Sequence, residues 1–414
     1  VLLITVKGAT FAGEQGIDLY VESGLIAAVG RDLPPKGEVL MAEGGLVSPP
    51  FADPHIHLDA ALLGAETPNV SGTLFEGIRN WSTARDSLTV EDLHARAKKA
   101  IGWCLLHGTT RIRTHVDTGS KLGVEAMLSL REEVSDYCDL QVVAFPQEGI
   151  YKKEGQADEL EWAVARGVDA VGAIPHFEDS RELGDKSVRL VFDLAERYGT
   201  QIDLHCDESD DPSCRHLITL CRERIRRDFA PHVIAGHCTA MHSYPDDVAE
   251  EAISLTVKSG VQVVANPLDN VVLQGRGDGY PRRRGITRVP ELIEAGALVG
   301  IGHDSIMDPW YPLGVGNLLN AASMLAHVSQ MTTPAWFARI VEVLVGDNHA
   351  AWGGAPSLKV GTSAEFIIHN HSDYETILRL SDPPRWVIKG GRIVAETAPS
   401  TSIVMGSRVQ PGRA

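Results

Sequence analysis

His55-Ile56-His57 places two imidazoles two residues apart. In an extended strand, residues i and i+2 point to the same side, so this pair can offer two nitrogen ligands to one cation. An H-x-H triplet alone is a weak signal, because two surface histidines would also produce it. His205, His237 and Asp304 strengthen it, since each closes a different short apolar run. Imidazole and carboxylate together suit Zn²⁺ or Fe²⁺. Any one of these residues could be a hydrogen-bonded polar group at a strand end. As a set, closing four separate runs, they read as a metal centre.

The residues of this set lie up to roughly 250 positions apart, so a fold must gather them. Eight short apolar runs supply one. They are LVSPPFADPH from Leu46, RIRTHVD from Arg111, LQVVAFPQ from Leu140, AVGAIPH from Ala170, QIDLHCDE from Gln201, VIAGHCTAM from Val233, VQVVANP from Val261 and LVGIGHDS from Leu298. Longer amphipathic stretches separate them, most clearly VEDLHARAKKAIGWCLLHG and KSVRLVFDLAERYG. Near-continuous apolar strands imply a parallel sheet covered on both faces. Eight strand-then-helix units imply an α/β fold, a (β/α)₈ TIM barrel. In such a barrel all strand C-termini open on one face, where active sites form. Nearly every run here ends in chemically able residues, including Gln147 and Glu148 on the third and Asp207 and Glu208 on the fifth. Both ends of the chain change style to short β-prone segments (LLITVKGA, IDLYVESG, LIAAVG; then AEFIIHN and WVIKGGRIVAE). They are expected to pair into one small β-domain, its last hairpin turning at Gly390-Gly391.

Composition narrows the function. A chain of 414 residues, 43% hydrophobic, can bury a large core. A formal net charge of −17 repels phosphate backbones, which argues against a nucleic-acid polymer as partner. No run of 18 apolar residues marks a membrane span. Six cysteines without a C-x-x-C pair read as small apolar residues of a reducing cytoplasm.

H-x-H on the first strand, His on the fifth and sixth, and Asp on the eighth resemble the amidohydrolase superfamily. The dinuclear members carry a lysine on strand four. AVGAIPHF has none, so the resemblance implies one divalent ion, Zn²⁺ or Fe²⁺. The segments PHIHLD, SGTLFEGI, RTHVD, VVAFPQEGI, VGAIPHFE, DLHCDE, HCTAMHSY, VANPLDN, LQGR, RRRGITRV and GHDSIMDPWYPLG resemble, in order from about residue 50 to 315, the bacterial cytosine deaminases. That family implies a barrel over residues 49–355 and a composite β-sandwich from residues 1–48 and 356–414. It implies His55, His57, His205 and Asp304 as metal ligands. A cation there makes water a nucleophile near neutral pH, with His237 orienting or deprotonating that water. Glu208 matches the proton shuttle to the ring nitrogen. Gln147 matches the amide that reads a pyrimidine edge, and Leu74 and Trp310 match the pocket walls. His237 or Asp304 would pass the water's proton to the leaving amine. The family also suggests a homo-oligomer, and pyrimidine salvage is its natural setting.

One departure bears on substrate. These deaminases commonly carry two successive aspartates on strand eight, whereas Asp304 is followed by Ser305. A smaller neutral side chain there leaves room at the C5 edge, so the expected substrate is cytosine or a 5-substituted analogue such as 5-methylcytosine. Isocytosine, isoguanine and creatinine-like rings are alternatives, as is hydrolysis of an alkylamine from a triazine. A ligand-binding relative without turnover is expected to lose a ligand or the shuttle acid, and all are present. The other zinc-deaminase signature, H-x-E with a later P-C-x-x-C, is met only by His176-Phe177-Glu178 and lacks its cysteines.

Overall fold

A computed structural model describes residues 3–398 and the strand pair Ser402–Val404 and Ser407–Val409. Eight parallel strands form its centre: β1 (Phe51–Ile56), β2 (Thr109–Asp117), β3 (Asp139–Phe145), β4 (Ala170–Val171), β5 (Gln201–Cys206), β6 (Val233–His237), β7 (Gln262–Ala265) and β8 (Val299–Ile301). Each pairs with the next in sequence order. The last closes on the first just beyond β8. There the His57 N–H donates to the Asp304 carbonyl and the Asp304 N–H to the His55 carbonyl, both at 2.9 Å. One carboxylate oxygen of buried Asp53 accepts the His55 and His303 N–H groups, each at 3.2 Å, and laces the same seam. This is the (β/α)₈ barrel expected from the alternation of apolar runs and amphipathic stretches.

The two clearest amphipathic stretches are helices, Val90–Leu106 and Arg181–Tyr198. The second starts at a Ser180 cap whose hydroxyl accepts the Leu183 N–H, and stops at Gly199 in the left-handed region. Its Val188, Val191, Phe192 and Ala195 recur at helical spacing and are buried against the barrel. The fourth strand is shorter than the AVGAIPH run suggests. Ala170 and Val171 form the regular strand. Main-chain bonds to its neighbours run on to Gly172, whose N–H donates to the Ala144 carbonyl at 2.8 Å, and to Ala173, whose carbonyl accepts the His205 N–H at 3.0 Å. The chain then turns into a 3₁₀ segment at Pro175–Phe177, where proline has no N–H to donate.

The chain ends build two four-stranded sheets. One holds Leu3–Phe11, Glu14–Glu22, Leu25–Gly30 and Glu38–Met41. The other holds Val47–Ser48, Phe366–Ile368, Trp386–Lys389 and Arg392–Glu396. Their inner faces share one core, in which Ile4, Leu19 and Ile26 meet Phe366, Trp386 and Ile388. The hairpin at Gly390-Gly391 forms with both glycines at positive φ. We propose from this packing a division into a composite β-domain, residues 1–48 and 356–414, and a barrel, residues 49–355. Residues 1–2 and those beyond 398, apart from the strand pair above, lie outside the described residues. No helix among the described residues is long and apolar enough to cross a membrane.

Candidate metal centre and pocket

The barrel mouth brings the dispersed imidazoles together. His57 Nε2 stands 3.0 Å from His205 Nε2. Asp304 Oδ1 lies 3.6 Å from both His55 Nε2 and His57 Nε2. Donor atoms sharing one ion at about 2.1 Å stand roughly 3–3.5 Å apart, so these separations fit a common cation. The donors are also in the form a cation needs. Burial, then the neighbouring imidazoles, hold His55 and His205 well below the usual histidine range. Burial and His115 do the same to His57. All three are therefore neutral with lone pairs free. Both ring nitrogens of His55, which is fully buried, find no hydrogen-bond partner among the described residues, nor does His205 Nδ1. Buried nitrogens left bare in this way are costly unless something binds them.

Two glycines make room for His55. A Cβ on Gly236 of β6 would lie 2.9 Å from the His55 ring, and one on Gly302 would lie 2.9 Å from the His55 Cβ. His237 also has ligand spacing with His55 and Asp304, and its Nδ1 lies 3.5 Å from Glu208 Oε1 and 3.8 Å from Asp304 Oδ2. The Asn270 amide N–H donates to that nitrogen at 3.0 Å, and Asn266 approaches the same ring at 3.3 Å. Another cluster below, His55, His115 and Asp203, has ligand spacing too. Its carboxylate is already matched by the buried Arg113 guanidinium at 2.7 Å, and that fixed charge opposes a second cation.

Above the centre is a pocket with about 270 Å³ of space, part of it open to solvent. Of the residues expected to bind metal or substrate or to move protons, all line it except His55: His57, Leu74, Gln147, His205, Glu208, His237, Asp304, Ser305 and Trp310. Burial pushes the Glu208 carboxyl up to about 8. Two further lining residues, Asp269 and Leu273, were not read from the sequence. Both lie on helix α2 (Pro267–Leu273), which starts directly after β7. The available signal was the aspartate in VANPLDN, immediately past a strand end.

A short helix, α1 (Leu74–Ala84), roofs the cavity. Thr73 caps it, accepting the Glu76 N–H. Leu74 reaches the cavity, and Gly77 lies flat against Trp310, where a Cβ would be 2.4 Å from the indole. The Trp81 indole N–H donates to Asp117 Oδ2 at 2.9 Å. Arg85, just past the helix, pairs with Asp117 and, at 2.8 Å, with Glu148. The roof is thus tied to the ends of β2 and β3.

Comparison with known proteins agrees with this architecture. Residues 38–395 match the amidohydrolase family, and the chain belongs to it. Within that family it is similar to 5-methylcytosine deaminase from Klebsiella pneumoniae, whose structure was solved with 5-fluorocytosine. The two share 36% identity, covering 96% of this chain and 98% of that one, with a TM-score of 0.91. It is also similar to a pterin deaminase of Rhizobium rhizogenes, 29% identical over 96% of this chain and 92% of the relative. An N-isopropylammelide isopropyl amidohydrolase of a Pseudomonas species is 26% identical over 86% and 87%.

Proposed function

We propose that the protein hydrolyses the exocyclic amine of a free aminopyrimidine, cytosine or a 5-substituted analogue such as 5-methylcytosine, giving the oxo base and ammonia. One observation carries this reading: His55, His57, His205 and Asp304 converge at the floor of a pocket that also holds Glu208, His237 and Gln147. The first four would hold one divalent ion, Zn²⁺ or Fe²⁺, which when bound supplies the Lewis acidity that brings water's ionisation near neutral pH.

The remaining chemistry falls to side chains. Expelling an amine from an amidine carbon requires a proton on the adjacent ring nitrogen, so that charge does not build there. Glu208, buried and raised toward pH 8, holds that proton at neutrality and delivers it. His237, between Glu208 and Asp304, takes a proton from the attacking water and returns it to the amine, which leaves as ammonia. Gln147 offers one acceptor and two donors to the ring's C=O and N–H edge. Leu74 and Trp310 pack on the ring. Ser305 leaves space at C5, in keeping with the substrates named for the Klebsiella relative. A small free base is also in keeping with a cytoplasmic homo-oligomer.

The test is an ammonia-release panel on metal-reconstituted protein: cytosine, 5-methylcytosine, isocytosine, isoguanine, creatinine, pterin and an N-alkylated triazine. Turnover of cytosine or 5-methylcytosine above the rest supports the reading, and a preference for any other member replaces it. Ser305→Asp is expected to lower 5-methylcytosine turnover relative to cytosine. An unchanged ratio would sink the role given to Ser305.

A further inference from the structure

Asp269 is a pocket carboxylate with no part in the reaction as written above. The Ser305 hydroxyl donates to its Oδ2 at 2.7 Å. Its Oδ1 has no partner among the described residues, although the side chain is only 2% exposed. A buried carboxylate oxygen facing a cavity without a donor is costly, so a donor from the substrate is expected there.

The order of strands says which donor. Around the rim, Gln147 follows β3, Glu208 follows β5, His237 ends β6, Asp269 follows β7 and Ser305 follows β8. A pyrimidine lying over the centre presents its atoms in the same circular order: the N1–H and C2=O edge, N3, the C4 amine, then C5. With the edge on Gln147, N3 on Glu208 and C5 at Ser305, the exocyclic amine faces His237 and Asp269. Of its two N–H bonds, the one directed toward C5 points to the β7–β8 side.

Building on the proposed deamination, we infer that Asp269 is the acceptor for the departing amine: Oδ1 takes the N–H on the C5 side while Ser305 holds Oδ2. The step balances without further reactants. Water's oxygen bonds to C4. One of its protons reaches the amine nitrogen through His237, and the other replaces the proton that Glu208 gave to N3. The C4–N bond then breaks, and its electron pair leaves with ammonia. A carboxyl oxygen accepting from the amine gains strength in the transition state, in which that nitrogen becomes cationic.

The test compares cytosine with pyrimidin-2-one, the same ring without the amine, in Asp269→Asn. An asparagine offers one acceptor oxygen where the aspartate offers two, and its other position is an N–H₂ group that can only donate. The expected result is a fall of about ten- to a hundredfold in kcat/KM for cytosine, with pyrimidin-2-one inhibition and metal content unchanged. A parallel loss for both compounds, or no loss for either, would overturn the inference. Should the asparagine variant fail to fold or to hold metal, Ser305→Ala carries the same test, with a smaller loss and the same selectivity expected. If the wild-type protein deaminates no aminopyrimidine, the proposed function fails first and this inference goes with it.

Discussion

Replacing Gly236 with alanine perturbs the metal centre without touching a ligand. The new Cβ would sit 2.9 Å from both Cε1 and Nδ1 of His55, and 3.2 Å from the Leu204 carbonyl oxygen. Ordinary contact begins at 3.4 Å, so the ring must retreat by about 0.5 Å, the difference between the two distances. His55 is fully buried, so the ring can retreat only by displacing its neighbours. Ligand distances in a metal site tolerate about 0.2 Å. Overpacking of this kind costs about 1–3 kcal/mol. Carried by the ligand geometry, that becomes a loss of roughly 5- to 150-fold in metal affinity. Competition titration against a chromophoric chelator measures it, and thermal melting of the metal-free protein shows how much of the cost falls on the fold instead. Gly102→Ala is the control. Its Cβ meets nothing within 4 Å, and it lies inside the helix Val90–Leu106, so it should add up to about 1 kcal/mol of stability and leave metal binding alone. A Gly236→Ala protein that binds metal and melts like the wild type would refute the claim that His55 is held against Gly236 in ligand position.

Two further expectations follow from the site. Glu208→Gln keeps the shape and removes the proton, so kcat should fall about 10²- to 10⁴-fold with metal content unchanged; loss of metal in step with activity would instead make Glu208 part of the ion's support. For the roof, burial pushes the Glu148 carboxyl up, but Lys153 and Arg85 more than offset this and leave it below the ordinary 4.5. A depressed carboxylate contributes stability that is present above 4.5 and lost as pH falls through its lower folded value. Hydrogen-exchange protection in α1, measured against the intrinsic rate at each pH on metal-free protein, should therefore fall below pH 4.5 as Arg85 loses this partner. Glu148→Gln should show the lower protection already at neutral pH, and protection independent of both acid and substitution would dismiss the anchor.

The features read correctly from sequence share one physical cause. Barrel strands are covered on both faces, so they read as apolar runs, and the first polar residues after each run sit on the catalytic rim. That is why His57, Gln147, Glu208, His237 and Asp304 could be named from spacing and resemblance and then found around one cavity. Three features obey other rules. Asp269 lies within a helical turn after Pro267, where an acid ordinarily reads as a solvated helix start. The α1 roof buries Ile78 and Trp81 against Trp310 and Leu273 rather than against the barrel, so its eleven residues gave no barrel-facing stripe to recognise. The short fourth strand shows the reverse error, an apolar run outlasting its regular strand because Pro175 turns the chain into a 3₁₀ segment.

Three residues at the barrel mouth hold a strained backbone conformation. Asp207, His237 and Asp304 all have positive φ, at +49°, +66° and +69°, a conformation that costs a non-glycine residue about 1 kcal/mol or more. Each sits where the chain leaves β5, β6 or the seam beyond β8, and must turn while keeping a side chain in place. The strain is offset by hydrogen bonds to neighbouring elements. Asp207 accepts the His216 and Leu217 N–H groups at 3.0 and 2.9 Å. The Asn266 and Asn270 amides hold His237. The main chain of Asp304 exchanges hydrogen bonds with that of His55 and His57. This last exchange is the bond that shuts the barrel, and it joins three of the four residues whose side chains converge. Closing the sheet and aiming the donors are therefore one event: a barrel open at the β1–β8 seam would also be a barrel without its centre.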